Sequence, residues 1–251
     1  IVLAQNGDKQ GAIASYNQAI QLSPKSADAY YNRGLAKLDL GDRQGAIADY
    51  NTAIKLRPTD ANAYYGRATA KGAMGDYQGA IADYDRVIRL KPNQASAYLN
   101  RAVAKNAIGD RAGAATDYDR TVSVNPNDAT AHFNRGLGFA QSGDRAKAIA
   151  EYTTAIKLNP KLVEAYNNRG GIHFTMGNRQ AAIADYAEAI RLKSNYATAY
   201  LNRGVVFYST REYRQALLDY DRGIALEPNN AELYFNRAVT QSQLQSYDQA
   251  L

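Results

Sequence analysis

Six asparagines fall on one register with a step of 34 residues: Asn32, Asn100, Asn134, Asn168, Asn202 and Asn236, with Gly66 at the missing station. A carboxamide carries both a donor and an acceptor, so such a row suits an extended peptide backbone read without regard to its side chains. The residue after each station is arginine: Arg33, Arg67, Arg101, Arg135, Arg169, Arg203 and Arg237. A guanidinium is a permanently charged fork, and it calls for a carboxylate or a phosphate. Groups that react rather than bind are scarce. The chain has no cysteine and two histidines, His132 and His173, which lie in different repeats. There is no glycine-rich phosphate loop, no metal-ligand spacing and no local grouping of serine, histidine and aspartate. The expectation is binding without catalysis, cofactor or metal.

The elements that carry these rows repeat with the same step. The octet ADAYYNRG at 27–34 returns as ANAYYGRA at 61–68, ASAYLNRA at 95–102 and ATAHFNRG at 129–136, then three more times from Val163, Ala197 and Ala231. Pro24, Pro58, Pro92, Pro126, Pro160 and Pro228 keep the register, with Ser194 in place of the missing one. A fixed period of this size marks a stacked array, in which each unit packs only on its neighbours and no single large core is needed.

One repeat, 27–60, shows why each unit folds. Ala29, Tyr30, Gly34, Leu38 and Leu40 follow helical spacing. Gly41 can take the left-handed conformation that ends a helix, and Asp42 is a good N-cap for the next. Ala46, Ile47, Tyr50, Ala53, Ile54 and Leu56 form the apolar stripe of that second helix, and Pro58 ends it. The unit is therefore two antiparallel helices of roughly 14 residues, each about 20 Å long. Small residues (Gly34, Ala46, Ala53 and their equivalents) sit where helices approach closely, with large rings beside them. Tyrosine fills the place of Tyr50 in every copy, and that of Tyr30 in all but one, where His132 stands. The rings read as core rather than as a cofactor box.

This pattern resembles the tetratricopeptide repeat, through the ring at Tyr30, the small residue at Gly34, Ala46, the ring at Tyr50, Ala53 and Pro58. The resemblance runs the length of the chain. It covers full repeats at 27–60, 61–94, 95–128, 129–162, 163–196 and 197–230, with partial repeats at 1–26 and 231–251. It implies an all-α, right-handed superhelical solenoid as a single domain, a fragment of a longer array, and a scaffold that holds a peptide or partner segment in its concave groove. The run of motifs is similar to bacterial, including cyanobacterial, members. The row of asparagines is similar to the ladder in the tetratricopeptide arm of the O-linked N-acetylglucosamine transferase.

Two departures stand out. Where the family usually has leucine, this chain has the seven arginines, and the aromatic expected four residues on is Lys37, Lys71 and Lys105 in the early copies, then Phe139, His173 and Phe207. An arginine directed between helices needs a carboxylate. One precedes each core tyrosine from Tyr50 onward: Asp49, Asp83, Asp117, Glu151, Asp185 and Asp219. Half-buried pairs such as Arg33–Asp49 are expected, and a basic stripe for phosphate is the alternative. The stretch from Tyr196 to Tyr213 lacks its proline and the glycine–aspartate turn, so Arg211 is expected in a left-handed cap and the junction to be softer.

The groove-facing places carry the asparagines, flanked by Tyr31, Tyr65, Leu99, Phe133, Leu201 and Phe235, with Leu35, Val103, Leu137, Val205 and Val239 one turn on. These form the expected peptide-binding set, the asparagines also having a packing reading and the second apolar set expected to be the more buried. The lysine–arginine clamp by which chaperone-adaptor members grip a C-terminal carboxylate is absent. The net charge of +6 raises the question of nucleic acid. Yet the groove places hold Asp28, Asp39, Glu164 and Glu232 and no cation, which argues against RNA. Homodimerisation through open terminal repeats, with Leu3, Ile13, Ala250 and Leu251 exposed, is a further reading. No apolar run is long enough to span a membrane, and the lack of cysteine favours a reducing, cytoplasmic compartment.

Overall fold

The computed structural model describes residues 8–250, with side chains to Gln245. Leu3, Leu251 and the side chain of Ala250 lie outside that range. Fourteen α-helices and no strand are present among the described residues. They divide into two compact units, Ile1–Pro126 and Asn127–Leu251. The first holds α1 (Lys9–Leu22), α2 (Ala27–Asp39), α3 (Arg43–Leu56), α4 (Ala61–Ala73), α5 (Tyr77–Leu90), α6 (Ala95–Ala107) and α7 (Arg111–Val124). The second holds α8 (Ala129–Gln141), α9 (Arg145–Leu158), α10 (Val163–Thr175), α11 (Arg179–Leu192), α12 (Ala197–Ser209), α13 (Tyr213–Leu226) and α14 (Ala231–Ala250). Within each unit, every helix packs on the next in sequence.

Local chemistry sets the hairpins. Ser26 caps α2 by accepting the Ala29 N–H at 3.3 Å, and Asp42 caps α3 by accepting the Gly45 N–H at 2.9 Å. Gly41 sits at φ 86°, where it closes the turn through the Asp42 N–H to the Lys37 carbonyl at 2.9 Å. Leu40 departs from the helical stripe expected of it: as the last residue before the turn it is 48% exposed, and Met74, Ile108 and Met176 repeat that placement. In the irregular junction Arg211 does adopt the left-handed conformation, at φ 65°. Thr210 compensates there, donating to the Phe207 carbonyl at 2.9 Å and lying 2.7 Å from Glu212.

Each buried tyrosine of the second helices packs against the small residue of the first. A Cβ added at Gly34 would lie 3.0 Å from the Tyr50 ring. Tyr50, Tyr152 and Tyr220 are almost wholly enclosed, with Ala46, Ala53, Ala148, Ala155 and Ala216 around them. Burial on this scale is what holds the hairpins together, on the order of 2 kcal/mol for each large side chain.

The arginines act as staples. Arg33 forks onto Asp49 through Nε at 2.8 Å and Nη2 at 2.5 Å, and its Nη1 reaches Asn17 of the preceding helix at 2.7 Å. Arg67 repeats this with Asp83 and Asn51, and Arg101 with Asp117 and Asp85. One guanidinium thus ties three helices of two consecutive repeats. Lys37, Lys71 and Lys105 add a second cation to the same carboxylates at 2.8 Å. In the second unit the forks recur at Arg169–Asp185 and Arg203–Asp219, and Arg135 meets Glu151 at 2.6 Å. The guanidiniums also lie over the preceding rings, Arg33 over Tyr30 at 5.5 Å from its centroid. Nine of the chain's 30 lysines and arginines are consumed in this framework rather than displayed.

Candidate functional site

The asparagine row lies half-buried on the first helices of the repeats, and its amides are partly engaged inside the protein. Asn32 donates to the Asp28 carbonyl at 2.7 Å, and Asn100 donates to the Tyr65 hydroxyl at 2.7 Å. Asn202 donates to Asn167 Oδ1 at 3.0 Å, and Asn167 in turn donates to Asn168 Oδ1 at 3.3 Å. Burial pushes the Tyr152 phenol up to about 12, offset in part by a hydrogen bond with Asn168. Asn134 and Asn236 are likewise half-buried.

The flanking rings pack at an angle, tilted or edge-on, against the core tyrosines. Tyr31 lies 6.0 Å from Tyr50, Tyr65 5.6 Å from Tyr84, and Phe133 5.8 Å from Tyr152, centroid to centroid. Leu99 is half-buried against Ala102, Ala114 and Tyr118. Leu201 is enclosed by Tyr220 and Leu233 and offers little surface, whereas Phe235 is 68% exposed. The set one turn on is not the more buried of the two. Leu35 and Val103 are exposed and Leu137, Val205 and Val239 half-buried, Val205 packing against the cluster of Leu201, Ala216, Tyr220 and Leu233.

Each unit contains a groove on this face. In the first, about 350 Å³ is lined by Thr69, Gly72, Tyr77, Tyr84, Asn100 and Val103. In the second, about 570 Å³ is bounded by Leu137, Phe174, Val205, Asn167, Asn168 and Asn202, and it extends to Glu232. Two of its features follow from breaks in the repeat. Asn167 stands where the other copies have a ring or leucine, and Gly171 where most have an aliphatic residue. Nothing nearer than the Tyr186 hydroxyl, 3.6 Å away, would meet a Cβ at Gly171, so the missing side chain leaves the groove open. The signal that could have found both residues was their departure from the pattern.

The histidines occupy ring positions. His132 Nδ1 lies 2.8 Å from Glu151, and His173 Nε2 lies 4.0 Å from Asp185. Among the described residues no group of histidine, aspartate and glutamate could hold a metal ion, and no helix is long and apolar enough to cross a membrane.

Comparison with protein families gives a match to the model described as "TPR repeat" at residues 2–41, 73–109, 138–177 and 172–210. Models described as "Tetratricopeptide repeat" match at 27–60, 197–230 and 219–251. The chain belongs to the tetratricopeptide repeat family. No curated protein sequence matches it. Among solved structures, this tetratricopeptide array is similar to a chain of the APC/C hetero-tetramer Cut9–Hcn1, with TM-score 0.74 and 18% identity over 95% of the array and 47% of that chain. It therefore spans about half the length of that protein. It is similar to the C-terminal part of a TPR repeat-containing protein from Cytophaga hutchinsonii, with TM-score 0.75 and 15% identity, covering 94% of the array and 96% of that chain. A third is YrrB, described as a TPR protein with an unusual peptide-binding site, with TM-score 0.62 and 22% identity, covering 73% of the array and 95% of that chain. At these identities the likeness shows the all-α repeat fold.

Proposed function

We propose that this protein-interaction scaffold binds an extended peptide or partner segment in the grooves of its first helices, without catalysing a reaction. The observation that carries the reading is the convergence of Asn167, Asn168 and Asn202 in one groove with apolar walls. Each amide keeps capacity beyond the one or two bonds it makes internally, because a carboxamide has two donors and two acceptor lone pairs. A peptide backbone meets such groups in alternation, in the way the resemblance to the arm of the O-linked N-acetylglucosamine transferase suggests. Each bond adds only about 1 kcal/mol net, so affinity comes from several acting together with apolar contacts. The peptide-binding site in the description of YrrB accords with this reading.

Nucleic acid fits less well, since no lysine or arginine lines either groove. Self-association is the second reading, favoured by Phe235 and Tyr234, which are 68% and 41% exposed on α14. A display of short blocked peptides, probed with the wild-type chain and with Asn168→Ala/Asn202→Ala, tests the first. Retention of peptides by the wild type and their loss from an equally stable variant is the expected result. Equal retention by both would assign the asparagines to packing. A mass that rises with concentration and falls on Phe235→Ser would support association instead.

A further inference from the structure

In the second repeat a core tyrosine finds its hydroxyl partner on the neighbouring first helix. The Tyr84 hydroxyl lies 3.3 Å from Thr69 Oγ1, which itself donates to the Tyr65 carbonyl at 3.0 Å. With the threonine proton spent there, Tyr84 is the donor of the pair. Tyr186 and Gly171 hold the same two repeat positions in the second unit. Glycine brings no hydroxyl, and the nearest atom to a Cβ built at Gly171 is the Tyr186 hydroxyl oxygen, at 3.6 Å.

The second route to a partner is diverted. Tyr152 is hydrogen-bonded by Asn168 of the following repeat, and Asn202 holds the same relation to Tyr186. Asn202, however, donates to Asn167 Oδ1 at 3.0 Å. The Tyr186 hydroxyl is left with no hydrogen bond among the described residues, on a side chain only 2% exposed. Tyr118 is served by Asn106 and Tyr220 by Thr240, while the Tyr50 hydroxyl, also unpartnered, is fully enclosed. Tyr186 instead lines the groove of the second unit, beside Gly171. Burial pushes its phenol up to about 12, so it keeps the proton it can donate at neutral pH. No lysine or arginine lines this groove to pair an anion, which favours a neutral acceptor.

Resting on the groove-binding reading above, we propose that the second unit selects an extended peptide by a threonine or serine side chain seated over Gly171. Its hydroxyl accepts a hydrogen bond from Tyr186, as the Thr69 hydroxyl does from Tyr84 within the chain. Asn168 and Asn202 hold the neighbouring backbone, and the methyl of threonine adds contact with the apolar wall at Val205. A phosphate on the same hydroxyl brings negative charge into a groove without a cation and prevents seating.

The test uses short blocked peptides of varied sequence, each made with a central threonine, valine or phosphothreonine. They are titrated into the full chain and into Tyr186→Phe, with the side-chain amide signals of Asn168 and Asn202 followed by NMR. Threonine peptides are expected to bind the wild type roughly fivefold more tightly than their valine isosteres, the scale of one net hydrogen bond, and phosphothreonine peptides more weakly than either. Tyr186→Phe is expected to bring threonine and valine together while leaving valine binding unchanged. The wild-type comparison needs no variant, so it stands whether or not Tyr186→Phe folds. Equal binding of threonine and valine by the wild type, with the asparagine signals still shifting, overturns the subsite and leaves the groove reading in place. A threonine preference that persists in Tyr186→Phe, or phosphothreonine bound as tightly as threonine, overturns the subsite as well. If no peptide moves those signals, the groove reading falls and the subsite with it.

Discussion

The Tyr50 ring fills the space that Gly66 leaves open in the next repeat: a Cβ there would lie 2.6 Å from Tyr50 Cζ and 2.9 Å from its hydroxyl oxygen. That hydroxyl is buried without a hydrogen-bond partner among the described residues. One repeat later, the Tyr84 hydroxyl lies 3.3 Å from Thr69 Oγ1, and Asn100 offsets part of the rise that burial imposes on it. The asparagine row and the core tyrosines are therefore linked, and the gap at Gly66 leaves a polar group unsatisfied.

Opposite effects of one substitution follow. Tyr50→Phe removes a hydroxyl that has no partner, so stability is expected to stay level or rise by up to about 1 kcal/mol. Tyr84→Phe removes a bonded hydroxyl and strands its partners, at a cost of about 1 kcal/mol. Thermal unfolding of the two variants decides it. An equal loss in both would mean that water or an alternative rotamer serves Tyr50 in solution.

The staple at Arg101 makes a second claim. Its guanidinium contacts Asp117 through two nitrogens and Asp85 through the third, and the Asp117 side chain is almost wholly enclosed. Removing either side of such a pair leaves an uncompensated charge, so Arg101→Met and Asp117→Asn should each cost on the order of 2 kcal/mol or more. Their double-mutant cycle should show coupling of about 1–3 kcal/mol. A coupling near zero would show that Lys105, 2.8 Å from the same carboxylate, replaces the arginine fully.

What could be read in advance was what local chemistry decides. Asp42, Gly41 and Pro58 mark helix ends by their own conformational preferences, and the carboxylate 16 residues after each arginine from Arg33 to Arg203 lies within the same hairpin. Contacts between hairpins were not legible. Asn100 to Tyr65 and Asn202 to Asn167 span 35 residues, and they depend on the rotation between consecutive repeats, which no single repeat encodes. The reach of Arg33 to Asn17 was missed for the same reason. Asn167 and Gly171 dropped out of the site because they broke the pattern, although the break is what shapes the groove.

Arg211 tests the cost of the irregular turn. Its φ of 65° is the left-handed region that Gly41, Gly75, Gly109, Gly143 and Gly177 occupy at φ 82–86° in the other turns. A side chain there costs about 1 kcal/mol. Arg211→Gly is therefore expected to raise stability by about that amount in thermal or urea unfolding. A loss instead would show that the long arginine side chain makes contacts worth more than the strain.

The buried tyrosines set an alkaline limit. Burial pushes Tyr152, Tyr186 and Tyr220 up to about 12 from an ordinary value of 10.0. An acid whose folded pKa is raised keeps its proton longer in the native state, so the unfolded chain binds fewer protons above its own pKa. Their contribution is intact below about pH 10 and is lost as pH rises through 12. Unfolding followed by circular dichroism should coincide with a late, cooperative rise in tyrosinate absorbance, and Tyr186→Phe should make the decline shallower. A gradual rise in absorbance with the fold intact would contradict this.

Gly171 separates folding from binding. It lies inside α10, and the nearest atom to an added Cβ is the Tyr186 hydroxyl at an ordinary 3.6 Å. Replacing a mid-helix glycine relieves an entropic penalty of roughly 0.5–1 kcal/mol, so a modest side chain here should not harm the fold. The further atoms of a leucine would enter the 570 Å³ groove between Asn168 and Asn202. Gly171→Leu is thus expected to melt at or above the wild-type temperature, yet to weaken peptide binding at least about tenfold, or 1.4 kcal/mol. Unchanged binding would place the ligand elsewhere on the array. A large drop in melting temperature would mean that the groove is narrower in solution than its lining indicates, and Gly171→Ala, which adds one methyl, would then distinguish a tight groove from an empty one.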